Sequence, residues 1–256
     1  MADDRAHAER PIQQLFRLIT SYQVLLTMQT ILITGASAGI GASCAKAFAR
    51  RGDRLILCAR RVERVREMEG QLRELGAPDI LVVELDVSRH DQVVTAIASL
   101  PDRWNNVDVL VNNAGLSRGL DPIYEGKYED WEEMIDTNVK GLLYVSRAIL
   151  PAMVARGEGH VINIGSIAGH QVYPKGNVYC ATKHAVGAIT QGMQIDLHGT
   201  GVRVTTVDPG LVETEFSMVR FRGNMERASA TYRGTRPLSP DDVAEAVVWC
   251  ASRPAH

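Results

Sequence analysis

A tyrosine and a lysine stand four positions apart in the stretch VYCATKHAV, as Tyr179 and Lys183. Residues at i and i+4 of a helix share one face, so the Lys183 ammonium can lie near the Tyr179 phenol oxygen. A free phenol has a pKa of about 10, and an adjacent cation lowers it by stabilising the phenolate. The pair predicts a general acid and base; the alternative is an aromatic and a solvated amine on one side of a helix.

A serine upstream could act on the same substrate oxygen. Ser166 ends the apolar stretch INIGS, and the segment that carries Tyr179 follows it. A strand edge and a helix start can bring both hydroxyls to one carbonyl or alcohol oxygen. The alternative is that Ser166 caps a turn or a helix, which is a common role for serine in such a place.

A glycine-rich turn, TGASAGIG, covers residues 34–41 with glycines at 35, 39 and 41. Glycine allows a tight turn and a close approach of the backbone to a pyrophosphate, whose charge then meets the free N–H groups of a helix N-terminus. A purely structural turn between strand and helix is the alternative. Its position after the first predicted strand favours a dinucleotide site.

Two arginines, Arg60 and Arg61, follow the second predicted strand in the stretch CARR. An acidic residue at this place suits the ribose 2′-hydroxyl of NAD, whereas arginine suits the 2′-phosphate of NADP. The planar guanidinium binds phosphate oxygens through paired, charge-assisted hydrogen bonds. The sequence therefore predicts NADP as the cofactor, unless both arginines are simply solvated residues that open the next helix.

Short apolar runs alternate with segments of helical period, and this alternation would position all of these residues. Near-continuous apolar strands joined by helices are typical of a parallel sheet covered on both faces. We therefore predict an α/β fold with a doubly wound, Rossmann-like parallel sheet, whose ligand lies at the carboxyl ends of the strands. The predicted strands are 30–34, 54–59, 80–85, 107–113, 160–165 and 202–207.

The α/β pattern begins at Met28, and no repeat, linker or low-complexity tract divides the chain after it. We predict a single dinucleotide-binding catalytic domain over 28–256, with an arginine-rich lid segment at 213–239. Residues 1–27 are predicted to be an N-terminal extension, either mobile or the product of a misplaced start codon.

The overall charge excludes several function classes. With 28 basic and 30 acidic residues, the net charge is −2, which indicates neither a nucleic-acid partner nor a membrane surface. No apolar stretch is long enough to span a bilayer. The four cysteines lie far apart and no metal-ligand spacing occurs, so we predict a cytoplasmic protein without a metal site.

Several motifs occur in a fixed order: TGASAGIG, LDV at 85–87, NNAG at 112–115, Asn138, Ser166, YCATK at 179–183 and DPG at 208–210. As a set they resemble the short-chain dehydrogenase/reductase family. The resemblance implies that Tyr179 is the catalytic acid and base and that Ser166 polarises the carbonyl. It also implies that Lys183 lowers the tyrosine pKa and holds the nicotinamide ribose, and that Asn138 anchors a water of the proton relay.

The same resemblance implies a set of cofactor contacts. Asp86 and Val87 would meet the adenine, residues 113–115 the adenosine ribose side, and residues 209–214 the carboxamide and diphosphate. The complete set of predicted cofactor-binding residues is Gly35, Ser37, Gly39, Ile40, Gly41, Arg60, Arg61, Asp86, Val87, Asn113, Ala114, Gly115, Tyr179, Lys183, Pro209, Gly210, Val212 and Thr214.

The carboxyl-terminal third, with PGLVETEFSMVRFRG and TYRGTRPLSPDDVAEAVVW, resembles the NADP-dependent 3-hydroxy acid dehydrogenases. That subgroup oxidises serine, L-allo-threonine and related short 3-hydroxy acids such as 3-hydroxypropionate, and reduces malonic semialdehyde. Arg220 or Arg222 would then supply the counter-charge for the substrate carboxylate, unless each is solvated or faces a phosphate. The alternative functions are a reductase of 3-oxoacyl groups or other ketones, and a non-catalytic NADP-binding remnant.

Family members continue past the position of His256 into a seventh strand, so we expect the usual last strand to be missing here. Its absence would leave a sheet edge open and one subunit interface incomplete. Relatives pack through their long fourth and fifth helices, and the resemblance implies a homotetramer or homodimer.

Overall fold

Six apolar segments form one parallel sheet in the computed structural model, which describes residues 28–254. Side chains of β1, β2, β4 and β5 are buried almost throughout, because helices cover both faces of the sheet. Those of the two edge strands, β3 and β6, are mostly half-buried. The first, second and sixth predicted strands have the observed ends. The strands are β1 (Thr30–Thr34), β2 (Arg54–Ala59), β3 (Ile80–Glu84), β4 (Val109–Asn112), β5 (Gly159–Ile164) and β6 (Val202–Val207).

The strand order is β3-β2-β1-β4-β5-β6. In the central strand, Ile31 is in register with Leu55 of β2 on one side and with Val109 of β4 on the other. The chain therefore adds strands to one side of β1 and then changes direction, which opens a crevice between β1 and β4 at their carboxyl ends. The predicted doubly wound parallel α/β fold is confirmed.

Two apolar cores cover the two faces of the sheet. One is built around Phe48 and Val247, and the other around Trp104, Val145 and Met153. The covering helices are α1 (Gly39–Arg50), α2 (Val62–Glu74), α3 (His90–Ala98), α4 (Tyr128–Ile135), α5 (Leu142–Arg156), α6 (Asn177–Asp196) and α9 (Pro240–Ala251).

The long helical segment between β4 and β5 has an interruption. A π-helical turn, Asp136–Gly141, connects α4 to α5 without breaking the rod. Such a turn contains one residue more than regular α-helix, and turns of this kind are frequent at functional sites. It places Asn138 on the side of the rod that faces the sheet, where only 2% of its surface is exposed.

The predicted lid segment follows β6 and contains two short helices, α7 (Phe216–Arg220) and α8 (Met225–Ala230). A bridge between Val212 and Leu238 closes its base. The next helix, α9, then begins with a capping box formed by Ser239 and Asp242. Residues 1–27, predicted to be an N-terminal extension, lie outside the described residues, as do residues 255 and 256.

Candidate active site

A cleft of about 650 Å³ opens at the carboxyl ends of β1 to β4. It lies at the crevice where the strand order reverses, which is where a dinucleotide binds in folds of this type. Most of the predicted cofactor residues line it. They are Gly35, Ser37, Gly39, Ile40, Arg60, Arg61, Asp86, Val87, Asn113, Ala114, Gly115 and Thr214.

The floor of the cleft is the glycine-rich turn. Gly35 and Gly39 have φ angles of 67° and 53°, which side chains rarely tolerate. A Cβ on Gly41 would lie 2.4 Å from the Gly35 carbonyl oxygen and 2.5 Å from Nδ2 of Asn113. That amide in turn donates to the Thr34 carbonyl oxygen at 2.8 Å, which fixes the turn against β4. Among the described side chains, none caps α1, so its first N–H groups remain available to a pyrophosphate.

Three arginines and two acidic residues form the outer wall of the cleft beyond β2. Arg61 and Arg64 both bind the carboxylate of Glu215, at 3.1 and 2.5 Å. Arg60 lies 3.9 Å from Asp86, whose carboxylate also accepts a hydrogen bond from Ser88. Sequence reasoning identified neither Arg64 nor Glu215, because nothing local links two residues so far apart in the chain.

Helix α6 carries the predicted catalytic pair. Lys183 is buried, and its ammonium donates to the carbonyl oxygen of Ile164 at the end of β5, at 2.8 Å. Two residues further along that strand end, the Ser166 hydroxyl accepts a hydrogen bond from the Ala168 N–H at 3.1 Å. The Ser166 hydroxyl is also near enough to the Tyr179 phenol to lower its pKa. Ser166 therefore caps a turn and contacts the tyrosine, so the two roles considered from sequence occur together.

Burial dominates the protonation of the pair. It raises the pKa of Tyr179 to about 12, and the Ser166 hydroxyl only partly opposes it. Burial also lowers the pKa of Lys183 to about 8, against the attraction of Asp208. A lowered tyrosine pKa is thus not a property of these side chains alone. Lowering it would take further positive charge close to the phenol.

Asn138 of the π-helical turn is fully engaged by protein groups. Its Oδ1 accepts from the Leu116 N–H at 2.8 Å, and its Nδ2 donates to the Leu116 carbonyl oxygen at 2.8 Å and to Thr182 Oγ1 at 3.0 Å. Thr182 directly precedes Lys183, so Asn138 links the loop that follows β4 to helix α6. Its predicted role as a water anchor stays a prediction.

Arg220 of the predicted lid segment lies beside Tyr179. Its side chain is buried, with Nε donating to Ser117 Oγ at 3.0 Å and Nη2 to the Tyr173 hydroxyl at 2.8 Å. The guanidinium lies 5.3 Å from the ring centroid of Tyr179. Within residues 28–254 it forms no ion pair. Arg222, by contrast, is paired with Asp130 and is more than half exposed.

Six predicted cofactor residues do not line the cleft. Tyr179 and Lys183 belong to helix α6, and Gly41 is buried beneath the glycine-rich turn. The other three follow β6: Pro209 accepts a hydrogen bond from Ile167, Gly210 lies beside Ile167, and Val212 bridges to Leu238. They support the strand end near Ser166 and the base of the lid.

Within 28–254, no group of three or more histidine, cysteine, aspartate or glutamate side chains could hold a metal ion. No helix in the same part of the chain is long and apolar enough to cross a membrane.

Comparisons with known proteins agree with the fold and the cleft. The family model for short chain dehydrogenases matches residues 29–224. The chain is 50% identical over 227 residues to the NADP-dependent 3-hydroxy acid dehydrogenase YdfG of Salmonella typhi, covering 88% of this chain and 90% of the relative. It is 41% identical to a serine 3-dehydrogenase of Agrobacterium fabrum, with 89% of each chain covered.

A solved structure, the closed form of serine dehydrogenase complexed with NADP+, superposes with a TM-score of 0.85 at 48% identity. The match covers 89% of this chain and 91% of that one. The protein belongs to the short-chain dehydrogenase family, as the order of its motifs predicted.

Proposed function

We propose that this protein transfers a hydride between NADP(H) and a short 3-hydroxy acid such as serine, L-allo-threonine or 3-hydroxypropionate, the last giving malonic semialdehyde. The predicted enzyme class, a dehydrogenase acting on a CH–OH group, and the predicted cofactor, NADP, are confirmed by the relatives. The proposal concerns the substrate and the roles of individual residues.

The buried guanidinium of Arg220 is the observation that carries the choice of substrate. A buried charge is costly unless it is paired, and within the described residues the Arg220 guanidinium meets no carboxylate. It donates to the hydroxyls of Ser117 and Tyr173 and packs against the rings of Tyr173, Tyr179 and Phe216. Its distance from the Tyr179 ring suits a small molecule whose carboxylate binds the arginine while its hydroxyl reaches the phenol. Arg222 already has a carboxylate partner in Asp130, so Arg220 is the better candidate.

The residues of the cleft fit NADP. The glycine-rich turn and the start of α1, at Gly39 and Ile40, line the cleft, and no described side chain caps the first N–H groups of that helix. Arg60 and Arg61 line the opposite end, where they would bind the 2′-phosphate. When bound, the nicotinamide accepts or donates the hydride.

Tyr179 would exchange the proton of the substrate hydroxyl during this transfer. Ser166 would donate a hydrogen bond to the same oxygen and keep it directed at the phenol, which it already contacts. Lys183, fixed by the Ile164 carbonyl, would stabilise the phenolate and bind the nicotinamide ribose. Asn138 would hold helix α6 in position through Thr182.

Replacing Arg220 by alanine tests the substrate assignment. We expect kcat/KM for L-serine to fall about 100-fold, since a buried charge pair with the substrate would be lost. The methyl ester of L-serine should lose much less, because its carboxyl group is esterified and carries no negative charge to bind. Arg222→Ala is the matched control and should leave the preference for the acid over the ester unchanged. Equal losses on acid and ester in Arg220→Ala would reject the carboxylate role.

We also propose that residues 28–256 act as one catalytic domain with the segment 213–239 as its lid. A cytoplasmic homotetramer or homodimer is proposed for the assembled enzyme, and size-exclusion chromatography with light scattering measures that state directly.

A further inference from the structure

Three consecutive residues at the start of the lid contact three separate parts of the site. The methyl group of Thr214 lies 3.3 Å from the position that a Cβ on Gly39 would take, over the glycine-rich turn. Glu215 reaches the arginines beyond β2. Phe216 packs edge-on against the catalytic tyrosine, with ring centroids 5.5 Å apart. Glu215 therefore lies between a residue that contacts the glycine-rich turn and a residue that contacts Tyr179.

The carboxylate of Glu215 bridges two guanidinium groups of the cleft. One oxygen binds Arg61 at 3.1 Å and the other binds Arg64 at 2.5 Å. The hydrogen bond from Arg64, and to a smaller extent that from Arg61, holds the pKa of Glu215 below its usual range. The carboxylate is therefore charged at neutral pH. Both arginines line the end of the cleft that would receive a 2′-phosphate.

We infer that Glu215 competes with the cofactor 2′-phosphate for Arg61 and Arg64, an inference that rests on the proposed NADP site. A phosphate placed between the two guanidinium groups would meet the negative charge of Glu215 at close range, which is unfavourable. Glu215 is 44% exposed, so its carboxylate can turn into water at little cost when the phosphate takes its place. The same side chain thus fastens the lid to α2 and lowers the affinity for 2′-phosphorylated nucleotides.

The inference also gives Arg64 a function. It would be a second donor to the 2′-phosphate, on the first turn of α2, and would change partner together with Arg61. The closest alternative is that Glu215 stays in place and only orients the two arginines. Competition predicts that removing the carboxylate strengthens binding of the 2′-phosphate, whereas an orienting role predicts that it weakens binding.

Calorimetric titration of the purified protein with adenosine 2′,5′-bisphosphate and with 5′-AMP separates them. For Glu215→Gln, we expect the bisphosphate to bind about two- to tenfold more tightly, as fits the loss of two exposed ion pairs, and 5′-AMP to bind as before. Glu213→Gln is the matched control: it removes the same charge from an exposed residue of the same segment and should leave both affinities unchanged. Arg64→Gln should weaken the bisphosphate alone.

Unchanged or weaker bisphosphate binding by Glu215→Gln would overturn the competition. A wild-type protein that binds the bisphosphate no more tightly than 5′-AMP would overturn the NADP site itself and the inference with it. If wild type prefers the bisphosphate while Glu215→Gln shows no gain, only the role of Glu215 is wrong.

Discussion

Arg220 and Phe216 hold the ring of Tyr179 from one short lid helix. The guanidinium lies 5.3 Å from the Tyr179 centroid and also 5.3 Å from that of Phe216, whose ring packs edge-on against the tyrosine. The two lid residues are one helical turn apart, so α7 presents both to the same target. Changes in the lid should therefore alter the chemical step as well as substrate binding.

Tyr179→Phe removes the proposed acid and base while keeping the ring and its contacts. We expect kcat to fall about 10²- to 10⁴-fold, the usual contribution of a positioned proton donor. NADPH binding, followed by its fluorescence, should be unaffected. Tyr128→Phe, at an exposed position on α4, serves as the control and should retain full activity. Substantial turnover by Tyr179→Phe would assign the proton transfer to another group.

Gly41→Ala tests the close packing beneath the cofactor cleft. The added methyl group would meet the Gly35 carbonyl oxygen at 2.4 Å, so the turn or helix α1 must shift. We expect a loss of about 1–3 kcal/mol in the free energy of unfolding, together with much weaker NADPH binding. Gly70→Ala, inside α2 where an added Cβ meets nothing within 4 Å, should instead stabilise the protein by about 0.5–1 kcal/mol. Urea unfolding measures both.

Arg61→Ala should change the choice of cofactor. Its guanidinium lines the adenosine end of the cleft and would bind only the 2′-phosphate. We expect KM for NADP to rise about tenfold or more while KM for NAD stays nearly constant, which matches the loss of one charge-assisted contact. Arg66→Ala, an exposed neighbour paired with Glu63, is the control. Equal rises in both KM values would show that Arg61 acts on fold rather than on the phosphate.

The pKa of His160 in β5 predicts how the free energy of unfolding depends on pH. Burial, aided by Arg203, lowers its pKa from 6.5 to about 4, so the unfolded chain binds the proton more readily. Stability should therefore be lost as the pH falls from 6.5 towards 4, with this residue contributing about 2 kcal/mol between pH 7.5 and 5.0. Unfolding in urea at both pH values measures the difference.

In His160→Gln this part of the pH dependence should disappear, even if the variant is less stable at pH 7.5. His198→Gln removes an exposed histidine and should keep the wild-type pH dependence. An identical pH dependence in wild type and His160→Gln would contradict the assignment.

The sheet was predictable because its signal is local. Short runs rich in apolar and β-branched residues define β1, β2 and β6, and these strands were predicted with their observed ends. The prediction for β4 was too long at both ends. Asp108 there accepts a hydrogen bond from the Thr30 N–H, and Asn113 turns back to Thr34, so contacts distant in sequence end the strand.

The site was predictable where its residues follow strand ends or, like Tyr179 and Lys183, share one face of a helix. The glycine-rich turn, Arg60 and Ser166 each follow a strand, and parallel topology brings those ends to one edge. The lid contacts of Glu215 and the hydroxyl partners of Arg220 depend on how a long loop folds back over that edge. No periodicity in the sequence encodes such contacts, and the raised pKa of Tyr179 likewise depends on burial that only the folded chain creates.

The π-helical turn at Asp136–Gly141 determines how the side chains of α4 are rotated about the helix axis relative to those of α5. One additional residue rotates everything before it by about 100° relative to everything after it. Deleting a single residue there would restore regular helix and swing Asn138 out of register with Leu116 and Thr182. The contacts of Asn138 therefore depend on the number of residues in this helix as well as on the side chain itself.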